Sequence, residues 1–286
     1  MYPQQICEIL FDELMINSVT KGMAYMGRPI SGKHAIEVAA FVVVFERPFS
    51  DRAIDSLLTL KESLQEQYPT FSETNVIKMR VESEGQAQQS SKLSGVSLQK
   101  TSEGNKQEWV LRADANTIVC SCFIYDRWDT SSLKALSDIA HVIKIVADDT
   151  NPVQHMALQV VDRFVGTPEE KYKINKVFNS KSQYLTKHAI KAGALWHVHQ
   201  GWFEDTGDNR QLNVLNLSTN DTPSGITTTI DHIVRYVFNV HKPVLEAMEM
   251  SFLQEIFLEL HEKNKEVILD LLNKKQCRAI KLCPQL

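Results

Sequence analysis

Two amphipathic helical stripes, each following a set of strand-like runs, limit what this chain can fold into. The first stripe is Leu133, Leu136, Ile139, Ala140, Ile143 and Val146, capped by Thr130, Ser131 or Ser132 and stopped by Asn151-Pro152. The second runs from Pro243 to about Lys275, with Met248, Phe252, Ile256, Leu260, Val267 and Leu271 along one face. A helix with one apolar face must bury it. Strands followed by a helix, twice over, predict an α+β fold: a largely antiparallel sheet, helices packed on one of its faces, and a long C-terminal helix. The recurrence suggests two pseudo-repeated halves, residues 1–166 and 167–286. At 286 residues the chain is near the size where one core stops growing, so two domains or one continuous sheet are both open.

Between the stripes the strands are legible in stretches. Residues 6–11 and 36–47 read as strands, and Pro48 closes the second. Ser50 then caps a helix with Asp51 in its first turn and Ile54, Leu57, Leu58 and Leu64 on its buried side, ending at Tyr68-Pro69. A strand follows over 76–81. Residues 83–106, rich in Ser, Gln, Gly, Glu and Lys, predict a mobile hairpin excursion with only Val96-Ser97-Leu98 strand-like. Residues 109–125 hold two strands about an Asp114-Ala115-Asn116 turn, and 156–165 hold another. Thr167-Pro168-Glu169-Glu170 signals the start of a short helix. Three antiparallel strands over 195–204, 212–219 and 227–238 precede the terminal helix.

Charge and apolar content narrow the function classes. With 31 Lys and Arg against 35 Asp and Glu the formal charge is −4, so nucleic-acid binding requires a local patch. The longest apolar run, residues 38–45, is far short of the roughly 20 residues that span a bilayer. The first five residues lack the basic region of a signal peptide, and a cytoplasmic setting without a membrane partner is expected. Cys7, Cys120, Cys122, Cys277 and Cys283 are odd in number, contain no C-x-x-C pair and read as reduced thiols. No nucleophile elbow or phosphate loop is present, so no cofactor is expected and enzyme chemistry has no local support.

The richest run is Trp196-His197-Val198-His199-Gln200-Gly201-Trp202-Phe203-Glu204-Asp205. On a strand, His197 and His199 share one face, and with Asp205 they could offer ligands to the divalent ion of a hydrolase. Two histidines alone supply two ligands, so an exposed face opposite a core face of Trp196, Val198 and Trp202 is the simpler reading. Cys120 and Cys122 read as core. His261 and Glu262, neighbours on a helix, diverge by about 100° and cannot face one substrate together. Lys274, Lys275, Arg278 and Lys281 form a basic run, which either complements the C-terminal end of the long helix or contacts phosphates.

Several of these motifs occur in a familiar order: Cys7-Glu8-Ile9-Leu10-Phe11, Tyr68-Pro69, Phe123-Ile124-Tyr125, Leu158-Gln159-Val160-Val161-Asp162-Arg163-Phe164, Ile230-Asp231 and Leu260-His261-Glu262. In these the chain resembles, over almost its whole length, a sporadically distributed prokaryotic family of unknown function. Where that family has a glycine–leucine–arginine–tyrosine run before asparagine, this chain has Val161 to Gly166, so only Arg163 carries over. In so apolar a strand an arginine is expected to be partly buried beside a carboxylate. The resemblance implies a cytoplasmic protein of mobile defence, toxin–antitoxin or phage-interaction genes. The resulting expectation is a non-enzymatic macromolecular interaction protein, antitoxin-like or part of a prokaryotic defence system. Its partner is another protein or a second copy, held by Trp202, Phe203, His261 and Arg163. The alternatives are a nucleic-acid-binding component using the basic run and a metal-dependent hydrolase around His197 and His199.

Overall fold

The strand over Ile36–Phe45 (β2) is apolar on both faces, a pattern that only the middle of a covered sheet can satisfy. In the computed structural model, which describes residues 27–81, 87–167, 172–223 and 225–282, β2 lies at the centre of one ten-stranded antiparallel sheet. The expected strand over 6–11 and the helix start at 168–170 lie outside the described residues. The other strands are β1 (Arg28–Pro29), β3 (Thr70–Val81), β4 (Ala87–Thr101), β5 (Gln107–Asp114), β6 (Thr117–Cys122), β7 (Val153–Val165), β8 (Trp196–Thr206), β9 (Asn209–Thr222) and β10 (Gly225–Lys242). They lie in the order β3-β4-β5-β6-β2-β7-β10-β9-β8, with β1 on β7. The order reads outward in the same way from the β2–β7 pair on both sides, and the sheet runs through both 1–166 and 167–286.

The helices are α1 (Asp51–Ser56), α2 (Leu60–Ser63), α3 (Trp128–Val146), α4 (Lys187–Lys191), α5 (Val244–Ala247), α6 (Met250–Leu271) and α7 (Lys274–Ala279). A 3-10 turn, Leu57–Thr59, joins α1 to α2. Helix α3 packs on β2 and β6, α6 packs on β7 and β10, and the two helices touch, so both cover the same face. Phe41 of β2 stands where they meet, its ring 5.6 Å from Trp128 of α3 and 5.4 Å from Phe257 of α6. The other face has a small apolar cluster of Val42, Val44, Ala157 and Ile233. No helix among the described residues is long and apolar enough to cross a membrane.

Four local expectations are corrected. Of the stretch 83–106, the described part is strand well beyond Val96-Ser97-Leu98: β4 is 15 residues long and is paired on both sides, to β3 and β5. Its Val96 and Leu98 are buried, so tertiary pairing overrides a Ser- and Gln-rich composition. Helix α3 begins at Trp128, because the Thr130 and Ser132 hydroxyls donate back to the Arg127 and Trp128 carbonyls (3.2 and 2.7 Å) instead of capping. Leu58 and Leu133, expected in buried stripes, are exposed. The terminal helix is not continuous to Lys275. It breaks at Leu272-Asn273, where the Asn273 side chain accepts from the Lys275 and Gln276 N–H groups (3.0 Å each) and starts α7.

Each long helix also lowers a polar side chain into the core. Buried Asp138 of α3 accepts from the Tyr68 hydroxyl (2.5 Å) and Lys134 (2.7 Å), and the Lys134 ammonium lies 4.5 Å over the Tyr68 ring. Buried Asn264 of α6 contacts His232 Nδ1 at 3.1 Å, and His232 Nε2 contacts Asn213 at 3.2 Å. Phe41→Ala is expected to lower unfolding free energy by about 3–5 kcal/mol in chemical denaturation, since it empties the junction of both helices. Leu133→Ala, at a site 55% exposed, is expected to change it by no more than about 0.5 kcal/mol.

Candidate functional site

A second apolar cluster gathers the C-terminal part of the chain. Val177, Phe178, Leu185, Ala189 and Trp196 pack with Leu271, Leu272 and Cys277 beneath the end of α6. Main-chain and side-chain hydrogen bonds pin the two stretches together. Asn179 N donates to Leu271 O (2.7 Å), Asn273 N to Val177 O (3.0 Å), and Gln276 Nε2 to Lys176 O (3.0 Å). The Phe178 and Trp196 rings meet edge-on at 5.5 Å.

These two stretches have an unusual charge content. Residues 171–203 and 271–286 contain ten Lys and Arg and no Asp or Glu, whereas the other 237 residues hold 21 Lys and Arg against 35 Asp and Glu. The apolar side chains of both stretches enter one cluster, which brings the two stretches together at this end of the fold. Lys173, Lys176, Lys181, Lys187 and Lys191 on the first, and Lys274, Lys275, Arg278 and Lys281 on the second, are all exposed. Lys181, Lys187, Lys191, Lys274, Arg278 and Lys281 form no ion pair with a described carboxylate. The nearby carboxylates of α6 are held by partners other than these cations. Asp270 accepts from Ser182 Oγ and from Gln183 N (3.1 Å), and Glu266 accepts from Lys263 (3.0 Å). Nor does the macrodipole account for the run: Lys274 and Lys275 lie in the first turn of α7, the positive end, and only Arg278 lies in its last turn.

Strand β8 leaves this basic end and forms an edge of the sheet. Its period of two places His197, His199, Phe203 and Asp205 on the exposed face and Trp196, Val198 and Trp202 against the core. The expected aromatic patch of Trp202, Phe203 and His261 is therefore not formed. Adjacent strand residues point to opposite faces. Trp202 lies between the Tyr184 and His232 rings (5.0 and 6.2 Å) and donates from Nε1 to Glu204 (2.9 Å), while Phe203 is 60% exposed on the other side. His261 stacks flat on Trp128 at 3.9 Å, and burial lowers its pKa to about 4. Arg163 is half-buried and pairs with Glu37 at 2.7 Å, as its apolar setting required.

The exposed face of β8 is held in place by a relay across four strands. His199 Nδ1 contacts Asn216 Oδ1, Asn216 Nδ2 donates to Asp231 (3.3 Å), and Gln159 Nε2 donates to the other Asp231 oxygen (2.8 Å). Burial pushes the Asp231 carboxyl up, against the hydrogen bonds from Gln159 and Asn216. Behind the strand, burial raises the Glu204 carboxyl, but the bonds from Lys263 and Trp202 outweigh it and hold it below the usual carboxylate range. His197 and His199 share a face, yet Asp205 lies further along the strand, 3.3 Å from Arg210. Among the described residues no group of three His, Cys, Asp or Glu side chains is placed to hold a metal.

No protein-family model and no curated protein matches the chain. Among solved structures it is similar to the di-domain ARO/CYC StfQ from the steffimycin biosynthetic pathway, at 9% identity over 80% of this chain and 96% of that one. The TM-score of 0.17 is too low for that likeness to bear on fold or chemistry.

Among the buried polar groups that escaped the sequence reading are His232 and Asp162. Both alternate with core residues, His232 between Ile230 and Val234 and Asp162 between Val160 and Phe164, so a polar residue in phase with an apolar face was the available signal. Burial lowers the His232 pKa to about 3, which keeps the imidazole neutral between Asn213 and Asn264. Asp162 is 3% exposed, its side chain makes no hydrogen bond or ion pair with a described residue, and its carboxyl is raised to about 7 by burial alone. The folded state then holds this proton more tightly than the unfolded chain, so the associated stability is complete below about pH 4 and is lost as pH rises through about 7. Asp162→Asn is expected to match the wild type near pH 4 and to exceed it at pH 8 by a few kcal/mol, at about 1.4 kcal/mol per pH unit, in urea titrations at both values.

Proposed function

We propose that this chain is a non-enzymatic macromolecular interaction protein whose partner is nucleic acid, held at the basic end formed by residues 172–196 and α7. The observation that carries the reading is the charge segregation: an acidic chain brings its two acid-free stretches onto one apolar cluster and leaves their cations exposed. Like charges so gathered repel one another, and two of them occupy the unfavourable end of a helix. A polyanion relieves both costs. Phosphates of a nucleic acid supply anionic charge at the density such a surface can neutralise, with release of counterions. Apart from Leu195 and Phe203, no large apolar side chain among the described residues of these stretches is exposed, so contact is to the backbone and carries little sequence preference.

The test is fluorescence anisotropy with a mixed-sequence DNA duplex and its single strand at low and moderate salt. Wild-type affinity is expected to fall steeply with salt, each phosphate contact adding about 0.7–0.9 to the log–log slope. The variant Lys181→Glu, Lys187→Glu, Lys191→Glu, Lys274→Glu, Arg278→Glu is expected to lose at least about 100-fold in affinity, with a flatter slope and an unchanged melting temperature. Wild type and variant binding alike, or neither binding at low salt, would overturn the reading. So would binding to anionic phospholipid vesicles without binding to nucleic acid.

A further inference from the structure

We propose that β8 pairs antiparallel with β8 of a second copy, joining two sheets across a two-fold axis at Gly201. This goes beyond the nucleic-acid reading and does not depend on it.

The first observation is an unpaired edge. β8 pairs with β9 over eleven residues, Trp196↔Thr219 to Thr206↔Asn209, with no register shift. Its outer side receives no backbone hydrogen bond from any other described element. Native sheets blunt such edges with proline, lysine, a bulge, a short strand or an inward charge; β8 has none of the first four, and its inward charge, Glu204, is neutralised by Lys263 at 2.6 Å.

The second observation is self-complementarity. Gly201 is the midpoint of β8, and an antiparallel pair centred there sets residues of the same face directly opposite one another. On the exposed face His197 comes opposite Asp205 of the second copy, and His199 opposite its Phe203. Each pairing occurs twice, an imidazole against a carboxylate and an imidazole against a phenyl ring. Centring the pair on His199 would instead oppose two His199 rings and leave Asp205 unmatched. At the axis, glycine presents no side chain to its twin.

Third, the strand is ordered before any partner arrives. His199 is held by Asn216 and through it by Asp231, and Trp202 is clamped from behind by Tyr184 and His232. Side chains that are already fixed lose little entropy on association. The interface is isologous, as a closed two-fold dimer requires.

Sedimentation equilibrium of the full chain, without nucleic acid, is expected to give twice the 32.5 kDa chain mass. His197→Asp sets two carboxylates opposite one another and is expected to weaken the dimer at least tenfold. The exchange His197→Asp, Asp205→His restores the pairing and should recover the dimer. Both positions are exposed, so melting temperatures of the variants should match at a concentration where all are monomeric. A wild-type chain that stays monomeric at about 100 µM, a dimer unaffected by His197→Asp, or an exchange that fails to restore it would each overturn the proposal. The five-cation variant should remain dimeric, so loss of nucleic-acid binding and loss of pairing are read separately.

Discussion

The wholly buried ring of Phe41 meets Trp128 of α3 and Phe257 of α6, and the packing of the rest of the chain follows from that junction. It lies on the central strand, on the face both long helices cover, so it couples the strands on either side through one cluster. Fully burying such a ring is worth about 1.5–3 kcal/mol by area, and loss of the contacts around it adds to that when it is removed. Nine strands in one antiparallel path would otherwise be an open ribbon with two unrelated covers. With the junction in place, each helix lies along its own set of strands, and the polar side chains they lower meet fixed partners, Asp138 the Tyr68 hydroxyl that precedes β3 and Asn264 the His232 ring of β10.

Those polar contacts fix geometry more than they add stability. Asp138 with Tyr68, and Asn264 with His232, replace apolar packing under each helix with directional bonds, and a shift of either helix by one turn would separate the pair. Under α6 the consequence reaches the surface. His232 is neutral, and it stacks with Trp202; Trp202 bonds Glu204, and Glu204 pairs with Lys263 at 2.6 Å. The edge strand is thereby stiffened from behind, while its front carries exposed His197, His199 and Phe203.

The surface divides into unlike regions for a related reason. Residues 172–196 form the connection from the β7 end of the sheet to β8, and α7 follows the break in the terminal helix. Both are short segments around one apolar cluster, and both leave their cations in water. The basic end and the bare edge are adjacent in the chain, joined at Trp196, and dimerisation through β8 would present two basic ends on one particle.

Much of this was legible in the residues. The two stripes gave α3 and α6, because a 3.6-residue period survives in any context that buries one side of a helix. The alternation through 196–206 gave the two faces of β8, and the apolar surroundings of Arg163 implied its carboxylate. Other features depended on who met whom. β4 is a strand because β3 and β5 hold it, against its own composition. Trp202 and Phe203, adjacent in sequence, were parted by the pleat, and His261 was taken up by Trp128. The absence of acidic residues from 171–203 and from 271–286 is written in the sequence. That they come together was decided only when Phe178, Trp196, Leu272 and Cys277 closed over a common core, since contacts between segments some 90 residues apart have no local signal.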